Sequence, residues 1–380
     1  MRLLLSVALL AVSGLGCALR AQDHPRPLSV TFVNPGKAGE VFWELVSDSM
    51  RAAGRSLGVE VETLWAERSF RRMQELGIEV VRRPRKPDFL IIVNEEAAGA
   101  PILEAAEAAG VKTLMLSNTL TGEDAARLGE PRQKLKTWIG SLVPDIEEAG
   151  ARMARALVDA ARANGLRSAD GKIHLLGLAG DENTPLSLAR NSGLLRVVFG
   201  EPDVVLDRLL NANWNETEGG LLADNYLQWA QRKGIVPAGI WAANDPIALG
   251  ALKAARRLGH MPGRDIFIAG LNWSPPALDA VRQGDLLLTD GGHFLGGALS
   301  ILLLRDYADG CDFAGPTPIR TFKTSAVTRE RAEVMRAFVA GRQFERLDLA
   351  RLRSRTGAAC ASRDLSVDAL LSALSIAGDG

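Results

Sequence analysis

Short runs of consecutive apolar residues alternate with longer segments whose apolar positions recur every three or four residues, from Leu28 to about Arg329. The short runs predict strands at Leu28–Val33, Val59–Leu64, Phe89–Val93, Lys112–Leu116, Ile173–Leu178, Val204–Leu209, Gly239–Ala242, Ile266–Leu271 and Leu286–Thr289. Most are apolar throughout, as strands covered on both faces should be. The amphipathic segments predict helices, clearest at Val41–Leu57, Ala100–Ala109, Ile146–Ala163, Leu186–Val198, Gly219–Lys233 and Pro246–Leu258. Regular alternation of the two specifies βαβ units and parallel sheets.

The pattern runs twice. One set of βα units ends near Thr119, and a second begins at Ile173. Between them Gly122–Gln133 is charged and lacks apolar periodicity, which predicts an exposed loop or a short polar helix. A chain of 380 residues also exceeds the roughly 250 to 300 at which one hydrophobic core stops growing, so two lobes are expected. Beyond Arg329 one more helix to about Ala340 precedes an arginine-rich tail, whose apolar ending Leu365–Ile376 is either a short docked helix or disordered.

Charge and the N-terminus narrow the class. Lys plus Arg and Asp plus Glu are equal at 45 each, leaving no basic excess for nucleic acid. Arg2 followed by the apolar run Leu3–Leu15 and small residues up to Ala21 reads as a secretory signal spanning residues 1–21. The run falls short of the roughly 20 apolar residues of a membrane span. A lipid anchor on Cys17 is disfavoured because Gly14 stands where a lipidation site prefers a larger apolar residue. Once the leader is removed, Cys311 and Cys360 remain, and in an oxidising compartment they either form a disulfide that clips the tail or stay as two thiols.

In open parallel sheets ligands bind beyond the carboxyl ends of the strands. Asn34 and then Phe42-Trp43 follow the first strand, Glu95 and Glu96 the third, and Ser117-Asn118 the fourth. The second set contributes Asp181-Glu182, Trp214, Asn244, Asn272 and Asp290. Carboxamides and carboxylates exchange hydrogen bonds of both polarities with hydroxyls, while a flat indole covers the C–H face of a sugar ring. Any one of these polar residues also serves as an ordinary turn or helix cap. Of the four histidines only His293, in Gly291-Gly292-His293-Phe294 after a strand, is placed to reach a cleft. Dinucleotide, phosphate-loop and nucleophile-elbow motifs are absent, no His or Cys cluster has metal spacing, and no cofactor is expected. The remote enzymatic reading is a carboxylate pair for glycoside hydrolysis, Glu95 or Glu96 with Asp181 or Glu182.

The stretches GIWAANDPIALGALKAARRLG (Gly239–Gly259) and DIFIAGLNWSPPALDAVRQGDLLLT (Asp265–Thr289) resemble the periplasmic solute-binding proteins of type I, near the ribose- and galactose-binding members. A weaker likeness extends from about Leu28 to Thr324. The resemblance implies an α/β fold of two Rossmann-like three-layer α/β/α lobes joined by a three-crossing hinge, with crossings near Trp138–Val143, Thr289–His293 and Arg320–Thr324. The expected division is residues 28–140 plus 292–320 for the first lobe, 141–291 plus 321–345 for the second, and 346–380 for the tail.

Carried over by motif, Asn34, Phe42 and Trp43 correspond to the first lobe's sugar contacts. Arg190 corresponds to the pocket arginine, Trp214 to the stacking aromatic of the second lobe, and Asn244 to the asparagine of the Asn-Asp pair, while Asn272 stands where an aspartate is usual. Ser117-Asn118 replaces an Asp-Arg pair of the ribose binders, and Gly292-His293 replaces a glutamine. The resemblance thus implies a non-catalytic periplasmic monomer that closes around a sugar or polyol. Its partner is then an ABC importer permease or, alternatively, the periplasmic domain of a sensor kinase or cyclic-nucleotide signalling protein.

Overall fold

The computed structural model describes residues 27–315, 317–353 and 364–372. The leader, Cys17 and Cys360 lie outside the described residues. Two six-stranded sheets organise the chain. The first contains β1 (Leu28–Asn34), β2 (Val59–Trp65), β3 (Phe89–Ile92), β4 (Lys112–Leu116) and β5 (Trp138–Pro144), joined late in the chain by β11 (Ile319–Phe322). The second contains β6 (Ile173–Ala179), β7 (Val204–Asn211), β8 (Pro237–Ala242), β9 (Phe267–Leu271), β10 (Leu288–Gly291) and β12 (Ser325–Val327). Their orders, β11-β5-β4-β3-β1-β2 and β12-β10-β9-β8-β6-β7, are the same arrangement used twice. Every pairing is parallel except that of β12 with β10.

Helices cover both sheets. In the first half they are α1 (Val41–Leu57), α2 (Phe70–Arg82), α3 (Gly99–Ala109) and α4 (Gly122–Leu128). In the second they are α5 (Ile146–Ala163), α6 (Pro185–Gly200), α7 (Glu216–Lys233), α8 (Asp245–Arg257) and α9 (Pro275–Gln283), followed by α10 (Gly296–Ala308) and α11 (Arg329–Ala340). Local chemistry sets their starts, since Ser69, Asp145, Asn215 and Asn244 each accept a backbone N–H from the first turn of the helix they precede. A left-handed glycine, Gly58 or Gly234, ends α1 or α7. Among the described residues no helix is long and apolar enough to cross a membrane.

The polar stretch after Thr121 is the short helix α4 and not a loop. Trp138–Val143, expected as a crossing, is instead strand β5, because its backbone pairs with β4 on one side and β11 on the other. The chain then leaves the first sheet at Asp145, returns after β10 at Gly292, and leaves again at Lys323–Thr324 between β11 and β12. The second passage is visible in α10, which follows a strand of the second sheet yet packs on α1, with the Ser49 hydroxyl donating to the Phe294 carbonyl (3.0 Å). Each lobe has its own apolar interior, with Phe32, Ile91 and Leu114 buried in the first and Leu176, Ile240 and Ile268 in the second.

Candidate functional site

A cleft of about 960 Å³ opens between the carboxyl edges of the two sheets, and its size is that of a ligand pocket. The wall contributed by the first lobe begins at Asn34, the last residue of β1. Its Nδ2 donates to the Trp43 carbonyl (3.2 Å) and the Ser47 hydroxyl (3.0 Å), and its Oδ1 accepts the Gly36 N–H (2.8 Å). These bonds fold the loop back onto the start of α1 and bring Trp43 over Gly36, where a Cβ would collide with the indole. Phe42 packs edge-on to Trp43 with 5.1 Å between ring centroids. Beyond β2, the Arg68 guanidinium lies 5.9 Å from the Trp43 ring and binds Glu40 (Nε, 2.9 Å) and Glu95 (Nη1, 2.6 Å). Burial pushes the Glu95 carboxyl above its ordinary value, with Arg68 acting against that shift.

The opposite wall is built the same way. Trp214 follows β7 and lies on Gly180, the residue after β6, where a Cβ would again meet the indole. Asp181 holds the ring by accepting Trp214 Nε1–H (2.5 Å), and it also accepts the backbone N–H of Asn183 (2.8 Å) and of Thr184 (2.6 Å). Burial would raise the Asp181 carboxyl, but these bonds and the Thr184 hydroxyl outweigh it and hold the group below its ordinary value. Arg190 projects from α6 with its guanidinium 5.1 Å from the Trp214 ring. It is 3% exposed, donates through Nη1 to the Ala243 carbonyl (2.6 Å), and leaves Nε without a partner. Burial pulls Arg190 down to about 10, against the pull of Asp245 and Asp290.

Asn244 caps α8 through Oδ1, which accepts the Ile247 N–H (2.9 Å), and its Nδ2 reaches across to the Trp214 carbonyl (3.1 Å). Asp245, one residue on, is enclosed beneath the cleft, accepts from the Thr289 hydroxyl (2.6 Å) and the Ser274 N–H (2.7 Å), and is pushed up to about 6 by burial. At the hinge His293 stacks on Phe42 with 4.6 Å between centroids, and its Nδ1 has no hydrogen-bond partner. Burial, with Arg190 adding to it, holds the ring well below the ordinary imidazole value, so it is neutral at pH 7.

The cleft therefore gathers Phe42, Trp43, Glu95, Ser117, Arg190, Trp214, Asn244, Asn272 and His293 from distant parts of the chain. Asn34, Asn118 and Asp290 are not brought to it. Asn34 is spent on the Trp43 loop. Asn118 Oδ1 accepts the Asn94 N–H (2.7 Å) beneath the floor. Asp290 is bound bidentately by Arg152 of α5 (2.9 Å for both contacts) and by the Thr324 hydroxyl (2.8 Å), a bridge linking the hinge crossings to the second lobe. The cleft is also lined by Lys37, Glu40, Arg68, Thr184 and Ser274, which the sequence reading did not single out. Arg68 stands just beyond the second strand, so its signal is the same strand-end position that marks the other cleft residues. Among the described residues no group of three His, Cys, Asp or Glu side chains could hold a metal ion.

Comparison with known proteins agrees with this architecture. The crystal structure of a periplasmic sugar-binding protein from Pseudomonas fluorescens is 32% identical, aligns over 90% of this chain and 99% of that one, and superposes with a TM-score of 0.77. The galactofuranose-binding protein of Escherichia coli (strain K12) is 20% identical over 282 residues, 73% of this chain and 81% of that protein. The periplasmic binding protein component of the arabinose ABC transporter from Shewanella sp. ANA-3, at 19% identity, covers 83% of this chain and 98% of its own with a TM-score of 0.67, a likeness of fold. The model of the periplasmic binding protein domain matches residues 30–310. With that match taking in strands β1 to β10, which belong to both lobes, and well over half of the chain, the protein belongs to the periplasmic binding protein family.

Proposed function

We propose that the cleft captures a neutral polyhydroxylated molecule, a sugar or polyol, by rotation of the lobes about the hinge, and that the closed form delivers it to an ABC importer. One observation carries this reading: an indole on each wall flanks buried groups whose hydrogen-bonding capacity is unspent, Arg190 Nε and His293 Nδ1. Leaving such a group unpaired costs about 1 to 3 kcal/mol, and a ligand hydroxyl recovers it. Closure is driven by that difference in affinity between the open and closed forms. The relatives named for sugars support the same ligand class, and the leader, with a cut near Ala21, supplies export to the periplasm.

The cleft acts without covalent chemistry. Asp181 has both carboxylate oxygens occupied by Thr184, Asn183 and Trp214, and Glu182 is turned to Asn211 (3.0 Å). These contacts favour a wall built for positioning over a carboxylate pair with Glu95. The test is a thermal-shift screen of the mature chain against a panel of monosaccharides, furanoses and polyols. A ligand at about 100 times its dissociation constant adds about 2.7 kcal/mol of stability, a readily measured rise in Tm. No shift with any member of the panel removes the ligand class, and turnover of a glycoside removes the non-catalytic reading.

A further inference from the structure

We infer that the C-terminal tail is a strap across the hinge, so that the lobes change their angle only as the tail shifts with them. The third crossing consists of Lys323 and Thr324, between β11 and β12. Both backbone groups of Lys323 are held by the tail: its N–H donates to the Leu365 carbonyl (2.9 Å), and its carbonyl accepts the Val367 N–H (2.9 Å). The result is a one-residue parallel bridge, Lys323 to Ser366. A final short helix, Val367–Ser372, starts there. Val367 is fully buried and packs on Gly292 of the second crossing, where a Cβ would stand 2.7 Å from Val367 Cγ1. Asp368 accepts from the Ser325 hydroxyl (3.0 Å) and pairs with Arg331 at 3.3 Å. One segment thus grips two of the three crossings.

The stretch before it ties the lobes together directly. Helix α11 belongs with the second lobe, paired to α9 through Arg336–Asp279 (2.9 Å) and Glu333–Arg282 (3.3 Å). The residues that follow are bound to the first lobe. Arg342 pairs with Asp48 and Glu345 with Arg55, both on α1, and Arg353 reaches Asp306 (3.1 Å) and Asp309 at the end of α10. Phe344 is the wedge between them, its ring 5.4 Å from Phe338 of α11 and 5.8 Å from Phe294 in the turn just before α10.

Hinge rotation is absorbed by a few residues at element ends. At Lys323 rotation must break the two tail hydrogen bonds or carry the tail along, and the buried contacts of Phe344 and Val367 resist both. The strap therefore narrows the range of angles open to the lobes before any ligand arrives.

The test uses ligand-free protein, so its outcome is independent of what the cleft binds. The full mature chain is compared with a chain ending at residue 363 and with full-length Val367→Ala, a milder change that keeps every bond of the two lobes. Small-angle scattering reads the spread of lobe angles, and hydrogen exchange reads the amides of Lys323 and Val327. Release of the strap enlarges and broadens the scattering envelope and speeds exchange at Lys323 by about tenfold or more in the truncated chain, since local opening is what limits exchange there. Val367→Ala moves both readouts the same way by less, and it carries the test alone if the truncated chain does not fold. Scattering and exchange indistinguishable from the full chain in a folded variant overturn the strap.

Discussion

Each lobe seats an indole by the same device, a glycine just past a strand with a tryptophan lying on it and an arginine over the ring. In the first lobe these are Gly36, Trp43 and Arg68, and in the second Gly180, Trp214 and Arg190. The two arginines differ. The Arg68 side chain is 39% exposed and already bound to Glu40 and Glu95, and an exposed pair of this kind contributes about 0 to 1 kcal/mol. Arg190 is enclosed, has one carbonyl partner and makes no ion pair among the described residues. Repetition of a motif therefore does not repeat its role. The first lobe presents a satisfied ionic rim around its aromatic plate, whereas the second holds a desolvated guanidinium whose Nε has no partner among the described residues.

That contrast can be broken or sharpened by substitution. The largest effect is expected where a charge would be left buried alone: Arg152→Ala strips Asp290 of its bidentate partner and should lower stability in chemical denaturation by about 3 kcal/mol or more, whereas Arg68→Ala should lower it by about 1 kcal/mol or less. Equal losses from the two changes would erase the distinction between hinge and rim. For binding, Arg190→Ala should weaken whichever sugar or polyol the screen identifies by about a hundredfold, close to 2.7 kcal/mol, with the fold intact. Arg68→Ala should cost less than about tenfold; calorimetry giving the reverse order would transfer the primary site to the first lobe.

Next come the two glycines. Gly180→Ala should displace the Trp214 ring and weaken binding by about tenfold, matching most of the loss from Trp214→Ala, since indole stacking of this kind contributes about 1 kcal/mol beyond area burial. Retained affinity in Gly180→Ala would show that the ring's position is not what the ligand reads. The smallest effect concerns pH. His293 has its folded-state value depressed, so its neutral form adds stability that is complete above about 6.5 and is lost as pH falls from there toward the folded value. His293→Gln should therefore lose less Tm than the parent between pH 7 and 5. Asp245, raised to about 6, titrates with the opposite sign, but it is common to both proteins and cancels in the difference. Identical acid limbs would mean that the His293 ring is not desolvated.

Most of the scaffold was legible in the sequence because it rests on local rules. Buried parallel strands are apolar without alternation, so β1, β3, β6 and β8 stood out. Apolar positions recurring every three or four residues placed α1, α5, α7 and α8 close to their observed bounds. The missed strands lacked that pattern. The stretch forming β5, Trp-Ile-Gly-Ser-Leu-Val-Pro, is broken by Gly, Ser and Pro. Strands β11 and β12 are edge strands of four and three residues, too short to show any period. In the cleft, the rule that ligands sit past strand ends found both tryptophans, Asn244 and His293.

By itself the sequence determined the repeated βαβ order, the two lobes and the list of polar residues standing at strand ends, since each depends on hydrophobic period or on neighbours a few residues away. Only the tertiary structure decided which of those polar residues are spent on the scaffold and which line the cleft. The Asn34 bonds close a loop onto α1, Asn118 is consumed by Asn94, and Asp290 is claimed by Arg152, 138 residues earlier in the chain. A buried donor or acceptor must find a partner, and the partner comes from whichever element the fold places beside it. Arg190 Nε and His293 Nδ1 stay unpaired among the described residues because the fold put an aromatic ring beside each and no hydrogen-bonding group against either nitrogen.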